Sequence, residues 1–132
     1  MPVAAVGDTE RAERTVTTET IDEYAAVTGD DNPLHVDADY ASGGLFGGRV
    51  AHGMFTAGVV SAALAALPGD IVYVSQEFSF EAPVRPDETV VAEVEVVEHL
   101  GDDRLRVETT ATVDGETVLG GEATILSVPH ES

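Results

Sequence analysis

The sequence predicts an α+β fold in which an antiparallel sheet wraps around one long central apolar helix. Three observations carry this prediction. Val50 to Leu67 contains no charged residue, which reads as a helix apolar all round because it is buried all round. After Gly69 the hydrophobic period changes from helical to two, the period of strands with one buried face. Asp114-Gly115, set between two alternating runs, is a two-residue hairpin signal, and short turns of that kind join neighbouring strands antiparallel. A wholly apolar helix needs cover on most sides, and half-apolar strands need one face covered. Wrapping the second around the first satisfies both.

The elements follow in chain order within a single domain, 1–132. Met1 to Glu10 shows neither a cationic run nor an apolar core of the secretory kind, and residues 1–12 are expected to form a flexible, solvated arm. Thr20-Ile21-Asp22-Glu23 fits a capping box, with Thr18 an equally good N-cap. The helix that follows presents Ile21, Tyr24, Ala25 and Val27 as its apolar face and stops at Gly29. Asp30 to Gly48 is rich in Gly, Asp, Asn and Pro, a long connection with one helical turn near Asp37 to Ala41. Loops of such length in compact domains usually carry function. Val50 to Leu67 is not a membrane span, because His52, Gly53, Thr56, Gly58 and Ser61 interrupt it and alanine fills much of the rest. Pro68-Gly69 closes it. Strands are expected at Ile71–Phe80, Glu88–Glu98, Arg104–Val113 and Glu116–Val128, with Val94, Val96, Leu105 and Val107 inward and Glu93, Glu95, Arg104, Arg106 and Glu108 outward.

Composition narrows the partners. The 132 residues hold 25 Asp plus Glu against 6 Lys plus Arg, a formal net charge of −19, and all six cations are arginine. Size scaling gives about one net negative charge per ~350 Å² of surface. Such a field repels nucleic acid and anionic membranes, so neither is an expected partner. With 43% hydrophobic residues, the chain nonetheless has the means to build a core. The absence of cysteine excludes disulfides, thiolate catalysis and cysteine-ligated metals, and a cytoplasmic protein is the simplest expectation.

The densest polar cluster is Tyr24-x-x-Val27-Thr28-Gly29-Asp30-Asp31-Asn32-Pro33-Leu34-His35. Asp30 and His35 stand five positions apart in a stretch broken by Pro33, a turn able to bring a carboxylate and an imidazole to one point. Such a pair can hold a water and move its protons near neutral pH. Asp30, His35 and His52 do not read as a metal site, and no metal is expected. A calcium loop beginning at Asp30 would have His35 where glycine is needed and Ala41 where glutamate is needed. The glycines at 43, 44, 47 and 48 lack the Gly-Lys-Ser/Thr of a phosphate loop. His99 and His130 are expected at the surface.

This run, continued to Ala41, resembles the hydratase-2 motif of MaoC-like, R-specific enoyl-CoA hydratases. Phe46-Gly47-Gly48-Arg49-Val50-Ala51-His52-Gly53-Met54 resembles the second signature of that family. The resemblance runs through nearly the whole chain. It implies the hot-dog fold, a homodimer, an acyl-CoA substrate with no separate cofactor, and reversible hydration of a trans-2-enoyl-CoA to the (R)-3-hydroxyacyl-CoA. It assigns catalysis to Asp30 and His35, and an oxyanion-binding backbone N–H to Gly53. Asn32, His52, Ser61 and Arg49 fall in substrate-binding or supporting positions. Ser61 has a second reading, a hydroxyl bonded back to a carbonyl one turn earlier. Two positions depart from the family: Asp31 is often apolar there, and Asp87 stands where glycine is usual. An acyl-CoA thioesterase and a non-catalytic acyl-binding subunit are the alternatives on the same fold. The lysine-free acidic composition is similar to that of proteins from salt-accumulating halophiles, so folding and activity are expected to fall as salt is removed.

Overall fold

The computed structural model describes residues 2–130. Along the chain run β1 (Thr9–Thr15), α1 (Thr18–Thr28), α2 (Pro33–Val36), α3 (Ala38–Ser42), α4 (Gly53–Ala65), β2 (Asp70–Phe80), β3 (Thr89–Gly101), β4 (Arg104–Val113) and β5 (Glu116–Val128). The strands form one antiparallel sheet in the order β1-β3-β4-β5-β2, with α4 packed across it, which is the hot-dog arrangement.

The core lies between helix and sheet. Val60, Ala63 and Leu64 of α4 meet Val90, Val94, Val96, Leu105, Val107, Leu119 and Ile125, all essentially solvent-free. Each large aliphatic side chain so buried contributes about 1.5–3 kcal/mol. The period-two expectation holds for Val94, Val96, Leu105 and Val107, which are buried, and for Glu93, Glu95, Arg104 and Glu108, which are exposed. Asp114 and Gly115 both take positive φ, as a type I′ turn demands, and Val113 faces Glu116 across it. Asp87 adopts φ 73, the conformation glycine would supply, so this departure keeps the turn rather than rebuilding it.

The flexible arm expected over 1–12 is corrected. Ala4 is buried and its N–H donates to Ser127 Oγ, while Thr9–Thr15 pairs along β3. Met1 lies outside the described residues. β1 escapes a periodicity reading because Ala12 is its lone apolar residue; as an edge strand it is held by ladder hydrogen bonds rather than by burial.

The N-cap of α1 is Thr17, in a reciprocal box with Thr20, and neither Thr18 nor Thr20 takes that role. Val27 is 85% exposed and does not belong to the buried face, which Ile21 and Ala25 supply. The helical turn expected near Asp37 to Ala41 is α3, and α2 precedes it.

The central helix is apolar all round but not buried all round. Met54, Gly58, Ala62 and Ala65 are exposed on the side of α4 away from the core. Val72, Tyr73 and Val74 of the edge strand β2 are exposed as well. One sheet of five strands covers only one side of the helix, so the opposite face of an all-apolar helix is left open.

Candidate active site

The site is built where α1 ends. Gly29 takes φ 81, a left-handed cap that sends the chain sharply away from the helix, and its N–H closes on the Ala25 carbonyl at 2.8 Å. The Thr28 hydroxyl donates to the Tyr24 carbonyl at 2.8 Å and accepts from the Asp30 N–H at 3.1 Å, so Asp30 leaves the helix in a fixed direction. Asn32 caps α2, with Pro33 at its first position. The Asn32 N–H and side chain make only long contacts, 3.5 Å each, to Asp30 Oδ1 and the Leu34 N–H. Asp31 faces solvent.

One turn of α2 then delivers His35. Its Nδ1–H donates to the Val50 carbonyl at 2.8 Å, and no hydrogen bond among the described residues engages Nε2. Arg49 ties this loop down: its Nε donates to the His35 carbonyl at 2.6 Å, and its Nη2 reaches Asp22 of α1 at 2.5 Å. The Arg49 side chain is only 12% exposed, so it supports the loop from behind and is not free to meet an anionic ligand.

His52 lies across the stack. Its Nε2–H donates to the Asp30 main-chain carbonyl at 2.7 Å, and its ring stacks on His35 with centroids 3.9 Å apart. The donor atoms of Asp30, His35 and His52 all lie within 4.8 Å of one another. These are the residues able to hold a metal ion; they are equally an acid–base cluster, since one nitrogen of each imidazole is already committed to a carbonyl.

Gly53 begins α4, so its N–H has no partner inside the helix and points where the helix dipole favours negative charge. A Cβ at Gly53 would stand 2.7 Å from the Phe80 ring. His35, Gly53 and Phe80 line two adjoining spaces. One is an apolar cavity of about 420 Å³ walled by Leu34, Phe46, Val84 and Leu119. The other is a recess of about 300 Å³ that holds Tyr24, Asp30 and His52. A ligand with its apolar part in the first and its reactive centre at the join would meet Asp30, His35 and the Gly53 N–H together.

Of the sequence-predicted residues, Asp30, His35, His52 and Gly53 converge, and Asn32 and Arg49 brace the loop. Ser61 does not join them within this chain; it lies on the open face of α4, beside a groove with Gly58, Tyr73 and Gln76. There the Tyr73 hydroxyl donates to Gln76, and partial burial of the phenol pushes its pKa above its ordinary value. Phe80 is a site residue that sequence reading missed. An aromatic residue at the end of a strand is ordinary in itself, and only packing against Gly53 sets it apart.

Known proteins share the sequence pattern and the fold of this chain. The model of the MaoC-like domain matches residues 4–117. The chain belongs to the MaoC-like family. It is 42% identical over 129 residues to a 3-hydroxybutyryl-CoA dehydratase of Methylorubrum extorquens, covering 96% of this chain and 82% of that one. It is 43% identical over 106 residues to an (R)-specific enoyl-CoA hydratase of Rhodospirillum rubrum, covering 78% and 74%. Among solved structures, an R-hydratase of Pseudomonas aeruginosa superposes with a TM-score of 0.88 at 33% identity, covering 98% of this chain and 88% of that one. No helix in the described residues is long and apolar enough to cross a membrane.

The Gly53–Phe80 contact makes a prediction. Gly53→Ala should leave the thermal midpoint nearly unchanged, because Phe80 is 55% exposed and its ring can swing aside. The displaced ring would narrow both spaces, lowering the turnover proposed below, as kcat/KM, by on the order of 10- to 100-fold. A variant with full kcat/KM would show that this contact does not shape the site.

Proposed function

We propose that this protein is an R-specific enoyl-CoA hydratase, converting trans-2-enoyl-CoA and water reversibly into (R)-3-hydroxyacyl-CoA. The observation that carries the reading is the meeting of Asp30, His35 and the Gly53 N–H at the edge of an apolar cavity. The acyl chain lies in the cavity with the thioester oxygen toward Gly53. Asp30 and the free Nε2 of His35 hold a water between them. As its oxygen attacks C3, its proton passes to the pair and negative charge moves onto the thioester oxygen, where the Gly53 N–H meets it. The pair then returns a proton to C2 on the same face. The two groups are coupled, so the transfers belong to the pair. No separate cofactor is needed for this chemistry, and the cytoplasm is the proposed location.

The test is loss of conjugated-thioester absorbance when crotonyl-CoA is added to the purified protein, with chiral analysis of the product. Release of free CoA in place of hydration, or no reaction, would overturn the reading in favour of a thioesterase or a binding subunit.

We also propose a homodimer through the open face of α4 and edge strand β2. Met54 at 58% and Phe80 at 55% exposure carry the apolar surface from that face into the active-site recess. Unpaired strand edges and apolar patches of this kind are normally covered. Light scattering in about 1 M salt, where charge repulsion is screened, is expected to return twice the chain mass; a monomer mass would contradict the dimer.

A further inference from the structure

His52 is 2% exposed, yet the proposed reaction gives it no proton to move. It stands at the N-cap of α4, a position where short polar side chains stabilise a helix by accepting its free N–H groups. His52 makes no such bond. Instead its Nε2–H reaches across to the Asp30 main-chain carbonyl at 2.7 Å, and a carbonyl only accepts, so that nitrogen carries the hydrogen. Nδ1 is buried with no hydrogen-bond partner among the described residues. The ring stacks on that of His35 with centroids 3.9 Å apart. Tyr24 closes on the same ring at 4.6 Å. His52 therefore carries a hydrogen on Nε2, and its one hydrogen bond among the described residues goes to Asp30.

The other ties on this stretch are local. The Asp30 N–H bonds to Thr28, and the Asn32 N–H reaches Asp30 Oδ1 at 3.5 Å. Among the described residues, the bond from His52 alone links Asp30 to the start of α4, where Gly53 lies. Resting on the hydratase reading, we infer that His52 is a positioning residue: its Nε2–H holds Asp30 by the main chain, in register with His35 and the Gly53 N–H.

Two variants separate this role from simple packing. His52→Phe keeps a ring against His35 but has no donor, and His52→Gln keeps a donor at similar reach but no ring. The Phe variant is expected to lose on the order of 30-fold in kcat on crotonyl-CoA, with KM within about threefold, while the Gln variant recovers to within about fivefold of wild type. A Phe variant above a third of wild-type kcat, or a folded Gln variant no better than Phe, would overturn the inference. If the Phe variant does not fold, His52→Asn, polar but too short to reach Asp30, replaces it with the same expectation.

Crystal structures give a readout independent of activity. Asp30 should move by roughly 1 Å or more in the Phe or Asn variant and stay in place in the Gln variant. An unmoved Asp30 in all of them refutes the positioning role. Absence of crotonyl-CoA hydration by wild type refutes the hydratase reading instead and leaves that structural comparison decisive for His52.

Discussion

Asp30→Asn is expected to lower kcat for crotonyl-CoA hydration by about 10³-fold with KM changed only severalfold, within the 10²- to 10⁴-fold that positioned acid–base groups supply. The substitution keeps the shape of the side chain and removes its charge and proton affinity. It leaves the main chain alone, and the bond that His52 makes is to the Asp30 carbonyl, so the loop should hold its course. The Asp30 side chain is exposed, so the thermal midpoint should barely move. His35→Ala should cost a similar factor, since it removes the free Nε2 that completes the water site. The double variant is the sharper measurement. If the two act as one unit on one water, removing both should cost little more than removing the worse single. Multiplying losses would mean two independent contributions and would break the paired mechanism. An Asp30→Asn protein that retains a tenth of wild-type kcat would end it outright.

How far this site was readable from sequence depends on what holds each residue. Asp30, Asn32 and His35 sit in one short stretch whose turn chemistry, Gly29 before and Pro33 within, is local and visible. Gly53 was legible only through the family resemblance, because within the uncharged run from Val50 to Leu67 it reads as one of several interruptions. The bond from His52 to the Asp30 carbonyl was not legible, because it joins a side chain to a main-chain atom 22 positions away and leaves no mark on residue identity. Arg49 had the same ambiguity: an arginine beside the motif suits an anionic ligand, and only its contacts with Asp22 and the His35 carbonyl commit it to the loop. The helix and four strands followed from period and turns. β1 did not, since an edge strand with one alanine has no apolar period. Burial of the helix on every side was inferred from its composition, which is correct about its chemistry and silent about how much of the cover a single chain supplies.

The same sheet predicts a large response to salt. Glu95 of β3 faces Glu108 of β4, Glu108 faces Glu122 of β5, and Glu122 faces Glu77 of β2. Directly opposite residues share a face, so four exposed carboxylates form a row across four strands, with Cβ spacings of about 4.5–5.5 Å. Arg106 offsets part of this, pairing with Glu122 at 3.0 Å and Glu98 at 2.8 Å, and those hydrogen bonds raise its pKa further and keep it charged. Each like-charged pair directly opposite costs roughly 0.2–1 kcal/mol, so three pairs oppose folding by about 0.6–3 kcal/mol in dilute buffer. The chain's net charge of −19 adds a more diffuse repulsion. Raising salt from about 0.01 M to about 1 M shortens the Debye length from ~30 Å to ~3 Å, below the spacing of the row. The thermal midpoint should then rise by roughly 5–15 °C. Glu108→Gln isolates the row, because Glu108 takes part in two of its three contacts and in none of the ion pairs among the described residues. It should raise the midpoint by several degrees in dilute buffer and by much less in 1 M NaCl, flattening the salt response. An equal gain at both salt concentrations would assign the effect to packing or strand propensity. No gain at either would mean that the glutamates avoid one another by rotamer choice, and that whatever salt dependence the protein shows comes from its net charge alone.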